Sequence, residues 1–168
     1  MEAKNSALLT EAETRWEKLL CPQNCSFRMQ TIEPETWSGL WKFDLKGIPA
    51  FISAYKNVLE MVRWLAIYEP EKAIPLGEDA LADLEELLRV AREKLSYEMS
   101  RDDVPDSYEW ATSECIQRLE AIHAALAALI DKVETGTEKI EKAEVYSLLE
   151  RLHQHTVNPP GWTDYKPA

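Results

Sequence analysis

Glycine is scarce in this chain, with five residues among 168, too few for the tight turns of a many-stranded β protein. Cysteine is scarcer still. The odd set Cys21, Cys25 and Cys115 argues against the paired framework of a disulfide-stapled secreted domain. Long uncharged runs are missing as well: even the most apolar segment carries Lys56, Glu60 and Arg63, so no stretch of about 18 apolar residues exists to cross a bilayer. The opening MEAKNSALLTEAETRWEK has acid where a secretory leader needs a basic region and an unbroken apolar core. These absences lead to the expectation of a cytoplasmic protein with reduced thiols and no membrane partner. There is also no P-loop, dinucleotide fingerprint or Gly-x-Ser-x-Gly, and no cofactor is expected.

Positive charge is short too. Nineteen Lys and Arg stand against thirty Asp and Glu, for a net charge of −11. Residues 70–134 hold nine of the eleven excess negative charges, sixteen acids against seven bases. A phosphate backbone would be repelled there, so the expected partner is a protein with a basic surface and not a nucleic acid.

Helical periodicity is what the chain has in abundance. In Ile48–Tyr68 a period of 3.6 gathers Phe51, Ile52, Tyr55, Val58, Leu59 and Val62 on an apolar sector about half the circumference wide. That is too wide for a surface helix, and predicts a rod covered by its neighbours. Narrower seams follow: Ala80, Leu84, Leu87, Leu88, Ala91 and Leu95, then Tyr108, Cys115, Ile116, Leu119, Ile122, Leu126 and Ile130, then Val145, Leu148, Leu149 and Leu152. The reading is a single all-α domain over 1–168, a bundle of about five helices at approximately 6–20, 48–69, 78–100, 104–134 and 137–157. An irregular Trp-containing segment fills 21–47, and 158–168 is an irregular tail. Pro49 and Pro70 mark a start and a stop, Asp103 and Pro105 cap the fourth helix, and Gly136 is a left-handed stop.

Three constellations have the residue types of a metal site. Glu120-x-x-His123 and Glu150-x-x-His153 have the spacing used by di-metal carboxylate bundles, but helical phase places Glu120 at the edge of its seam and Glu150 away from it. Cys21 and Cys25 with His153 and His155 have the ligand count of a zinc site without its usual spacing. Glu85-Glu86 begins the Glu-Glu-x-x-Glu pattern of helical nucleotide pyrophosphohydrolases, but Arg89 stands where the next carboxylate belongs and cannot bind magnesium. No metal or catalytic residue is therefore assigned.

What remains is surface. Asp79, Glu86 and Glu93 recur every seven residues, with Asp83 beside them, and Asp102, Asp103 and Asp106 extend the acid around the following turn. Of six tryptophans, Trp37 and Trp41 are expected to fold the irregular segment onto the rod near Trp64, leaving Trp110 and Trp162 for partner contact. The expected function is non-enzymatic: an inhibitor or immunity-type protein masking a basic surface of a toxin or nuclease. The alternatives are a metal-binding bundle built on Glu120, His123, Glu150 and His153, and a homodimer or assembly subunit joined through the small-residue face Ala121, Ala124 and Ala128.

Overall fold

The structure, a computed structural model, describes residues 34–67, 69–136, 140, 142–157 and 166–167. Four helices account for nearly all of them: α1 (Pro34–Ala66), α2 (Pro70–Met99), α3 (Asp106–Thr135) and α4 (Lys142–Val157). The all-α bundle read from periodicity is the fold. The expected helix at 6–20, residues 21–33 of the irregular segment and most of the tail, with Cys21, Cys25 and Trp162, lie outside the described residues.

Helix α1 starts well before the expected boundary, and 34–47 is regular helix. Pro34 suits a first turn whose N–H groups have no helical partner, and Glu35 adds acid at the positive end of the helix dipole. Pro49 then fails to interrupt the rod. It removes one hydrogen bond, to the carbonyl four residues earlier, but Pro49 and Leu45 are both exposed, so the loss falls on the solvent side. The buried side carries Leu40, Gly47, Ala50 and Phe51, which hold the helix to its neighbours through the proline. Helix α2 behaves in the same way. It begins at Pro70 and runs through Pro75, whose ring is exposed, while Ala73 and Gly77 beside it are buried.

Antiparallel packing is visible residue by residue. Along α1 and α2, Asp44 meets Lys94, Gly47 meets Leu87, Ser53 and Asn57 meet Asp83, and Met61 meets Gly77. Along α2 and α3, Gly77 meets Ile130, Glu85 meets His123 and Arg92 meets Glu120. Lys132 bonds Glu144 at 2.9 Å where α3 turns into α4. Helix α4 closes the ring by touching α1 and α3, so α1 and α3 are diagonal, as are α2 and α4. Short connections between helices force this neighbour-to-neighbour order.

The core is the one the seams define. Phe51, Ala54, Tyr55, Val58, Leu59, Met61 and Val62 of α1 are buried against Leu84, Leu87 and Leu88, Leu119, Ile122 and Leu126, and Leu148, Leu149 and Leu152. The rod is thus enclosed as its sequence requires. Trp41 and Trp64 do not associate: they lie on one continuous helix, about 35 Å apart along it, and Trp64 is instead covered by the Lys72 ammonium 4.4 Å from its ring centroid; the Trp37 side chain is not among those described. Helix α3 begins two residues later than expected. Pro105 occupies the N-cap position without a side-chain bond, because Asp103 is engaged elsewhere, accepting from Thr36 Oγ1 and from Arg101 Nε. Gly136 ends α3 in the left-handed conformation, φ 61°, its N–H on the Lys132 carbonyl at 3.1 Å.

Candidate functional site

Helix α2 separates its charges by phase. The core stripe faces α1 and α3, so the residues between its members point outward: Glu78, Asp79, Glu85, Glu86 and Glu93 are exposed. Asp102 and Asp106 continue this exposed acid around the α2–α3 turn. The cations of the same face are already engaged. Arg89 spans Glu86 and Glu93, and this clamp draws the Glu86 carboxyl below its ordinary range. Arg92 approaches Glu120 at 3.5 Å, and Lys72 approaches Glu69 at 3.1 Å. Among the described residues no cation pairs with Glu78, Asp79, Asp102 or Asp106.

Two acids of the expected strip do different work. Asp83 is half-buried and accepts from Ser53 Oγ at 2.6 Å and Asn57 Nδ2 at 3.0 Å, tying α2 to α1. Asp103 ties the α2–α3 turn to the start of α1, where Arg101 Nη2 also donates to the buried Thr36 hydroxyl at 2.9 Å. These bonds hold the Asp103 carboxyl below its ordinary range, Thr36 being the larger cause and Arg101 the next. Trp110 is half-buried on α3, and Ala121, Ala124 and Ala128 form an exposed stripe along the same helix.

The residues considered as metal ligands are dispersed. Glu120 turns to Arg92, and His123 Nε2 lies 3.2 Å from Glu85 Oε1. The His153 side chain is not among those described. Among the described residues no three His, Cys, Asp or Glu side chains form a group able to hold a metal ion.

A second site has no counterpart in the surface pattern. Where α1, α2 and α3 bring Gly47, Ala91 and Ala111 to one level beside the end of α4, their small side chains leave a cavity of about 110 Å³. Phe43, Leu87 and Val90 give it apolar walls, while Lys94, Glu98 and His155 contribute polar groups. Lys94 Nζ bonds Asp44 Oδ1 at 2.7 Å, and both side chains are mostly covered. Deeper still are Glu98, 1% exposed, and His155, 5% exposed.

The His155 ring stacks obliquely on Phe51, centroids 5.9 Å apart, and its buried Nδ1 has no hydrogen-bond partner among the described residues. Burial, with a smaller push from the positive charge of Arg118, lowers its pKa to about 4. The imidazole is therefore neutral at neutral pH, with one N–H and one lone pair. Both deep groups continue an apolar seam: Glu98 follows Leu84, Leu88, Ala91 and Leu95, and His155 follows Leu148 and Leu152, at steps of three or four. Phase carried that signal, but polarity alone assigns both residues to the surface.

No protein-family model, curated protein or solved structure matches the chain.

Proposed function

We propose that this is a non-enzymatic cytoplasmic protein that binds a protein partner, covering a basic surface with the outward side of α2 and the α2–α3 turn. The observation that carries the reading is the imbalance of that side. Its arginines are held by acids of the same chain, whereas Glu78, Asp79, Asp102 and Asp106 pair with no cation among the described residues. Such a surface has uncompensated negative potential to offer, which speeds encounter with a basic face and fixes its orientation. The most specific form is an inhibitor or immunity-type protein that masks the substrate groove of a toxin or nuclease. Trp110, half-buried beside the turn, supports this form as an aromatic anchor.

The experiment is affinity capture with the full chain and with an Asp79→Lys/Glu86→Lys/Glu93→Lys variant, followed by identification of the retained proteins. The expected result is a basic partner that the wild type retains and the reversed variant loses. Equal recovery by both would remove the acidic side from the function. The exposed Ala121, Ala124 and Ala128 stripe favours a second reading, self-association through α3, since small side chains let helix backbones approach closely. Light scattering that returns a 19.3 kDa monomer at micromolar concentrations would exclude it.

A further inference from the structure

We propose that the outward face shared by α1 and α2 is a self-complementary interface for a second copy of this chain, the lysine strip of α1 in each copy lying on the acidic strip of α2 in the other. The inference uses the acidic side of α2 but not the toxin or nuclease partner proposed for it.

The two helices sort their exposed charges by sign. Beyond Glu35, the exposed charged residues of α1 are all lysines: Lys42, Lys46 and Lys56. Lys42, Pro49 and Lys56 recur every seven residues, as do Asp79, Glu86 and Glu93 on α2, so each set runs as one strip along its helix. The strips are neighbours on one face. Beside the larger effect of Arg89, the charge of Lys46 also draws down the Glu86 carboxyl. Acid remains in excess on α2, because Arg89 has one charge for Glu86 and Glu93 together and Asp79 pairs with no cation among the described residues. The face as a whole is close to neutral, so two copies of a chain with net charge −11 approach through it with little repulsion.

Symmetry turns this adjacency into docking. The helices are antiparallel, with Asp44 level with Lys94, Gly47 with Leu87 and Asn57 with Asp83. A two-fold axis parallel to them, in the plane between two copies, lays α1 of each copy across α2 of the other and leaves every residue at its own level. Lys46, between Asp44 and Gly47, then meets the second copy between Glu86 and Glu93. Lys42 meets it at the Glu93 end, and Lys56 meets it between Asp79 and Asp83. An axis in the same plane but across the helices would set lysine on lysine and acid on acid, so charge selects the first arrangement. Leu45, 47% exposed, and Pro49 stand among the lysines, and Ala82 stands among the acids, which gives the contact apolar surface as well.

Size sets the strength. Two helices each about 10 Å wide, over the roughly 21 Å from Lys42 to Lys56, present about 400 Å² per copy. That is about half of the 800 Å² per partner found in stable complexes. The dimer is therefore weak and held largely by charge, with a dissociation constant on the order of 0.1 mM.

The test is sedimentation equilibrium of the full chain from about 10 μM to about 1 mM, beside two charge-reversed variants that still melt cooperatively. One is Lys42→Glu/Lys46→Glu/Lys56→Glu and the other is Asp79→Lys/Glu86→Lys/Glu93→Lys. The wild type is expected to pass from the 19.3 kDa monomer to a dimer, with association weakened about tenfold or more between about 20 mM and about 500 mM salt. Each variant alone sets like charge on like charge and stays monomeric, whereas an equimolar mixture restores both contacts and yields a heterodimer. Carbodiimide coupling of mixed ¹⁴N and ¹⁵N wild type needs no variant, and is expected to join Lys46 of one copy to Glu86 or Glu93 of the other in isotopically hybrid peptides. A wild type that stays monomeric to about 1 mM at low salt, folded variants that do not recombine, or coupling confined to single copies overturns the proposal. So does a dimer that persists in both variants, which belongs to another face such as the α3 alanine stripe. Partner capture is read separately: a basic partner retained by a chain that never dimerises leaves the proposed function standing and removes this interface alone.

Discussion

Gly77 of α2 and Ile130 of α3 are in such close contact that a Cβ on the glycine would stand 2.9 Å from both Ile130 Cγ1 and Cδ1, and 3.1 Å from Met61 Sδ of α1. The absence of a side chain is what lets three helices meet at this level. Alanine in a helix interior normally gains about 1 kcal/mol over glycine, whereas forcing an extra carbon into a packed core costs about 1–3 kcal/mol. Gly77→Ala is therefore expected to destabilise. In an Ile130→Ala background the obstructing atoms are gone, and the same substitution should become neutral or stabilising. Urea unfolding of the four proteins as a double-mutant cycle measures this, and additive single effects would refute the contact.

Asp79 and Asp83 are one helical turn apart on α2, yet the structure gives them different roles. Asp83 receives hydrogen bonds from two α1 side chains, and its removal leaves Ser53 and Asn57 without their acceptor. Asp83→Ala should cost about 1–3 kcal/mol of stability, and Asp79→Ala less than about 0.5 kcal/mol. Thermal and urea unfolding check the pair. Comparable losses at the two positions would contradict the division between interhelical tie and exposed acid.

The bundle was legible because burial of an apolar stripe dominates its energetics, and the stripes from Phe51 to Leu152 repeat at helical spacing. The boundaries were less legible, for a local reason. Gly47, Pro49, Pro75 and Gly77 all signal breaks when read alone, but the prolines face solvent and the glycines face a neighbouring helix, so tertiary packing overrides both signals. Helical phase identified the outer acids of α2, while the bonds of Asp83 and Asp103 required knowledge of which α1 residues lie opposite. Glu98 escaped, and His155 was noted only as a possible zinc ligand and not as a buried group, because residue type outweighed phase: each sits where the stripe continues, and each is polar.

Thr36 and Arg101 fix the carboxyl of Asp103 from the two ends of a contact between the start of α1 and the α2–α3 turn. Both bonds favour the ionised form, which lowers its pKa relative to the unfolded chain. The stabilisation is therefore present above the ordinary carboxyl range and lost as pH falls through the depressed folded value. Thr36→Val keeps the shape of the buried side chain and removes the larger cause. An NMR titration of the Asp103 carboxyl carbon should show its midpoint moving up toward the ordinary carboxyl range; an unchanged midpoint would assign the effect to Arg101.

His155 supplies the clearest pH dependence of stability, since its ring is buried and its pKa is lowered to about 4 from 6.5. Between those values the unfolded chain takes up a proton that the folded chain does not, so stability falls as pH is lowered from 6.5 toward 4. The loss is about 3 kcal/mol across the window, at roughly 1.4 kcal/mol per pH unit. Below pH 4 both states bind the proton, and this contribution flattens. Other groups titrate nearby, so the measurement is a difference. Urea unfolding of wild type and of His155→Phe, at intervals from pH 8 to pH 3.5, leaves Asp44, Lys94, Glu98 and Arg118 in place and keeps an aromatic ring against Phe51. The two stability curves should run parallel above about pH 7, and below it the wild type should lose stability relative to His155→Phe, since the wild type alone carries the cost of protonating a buried imidazole. Curves parallel throughout the range would mean that the ring protonates as readily in the folded protein as in the unfolded chain, and the burial of His155 at the foot of the cavity would have to be abandoned.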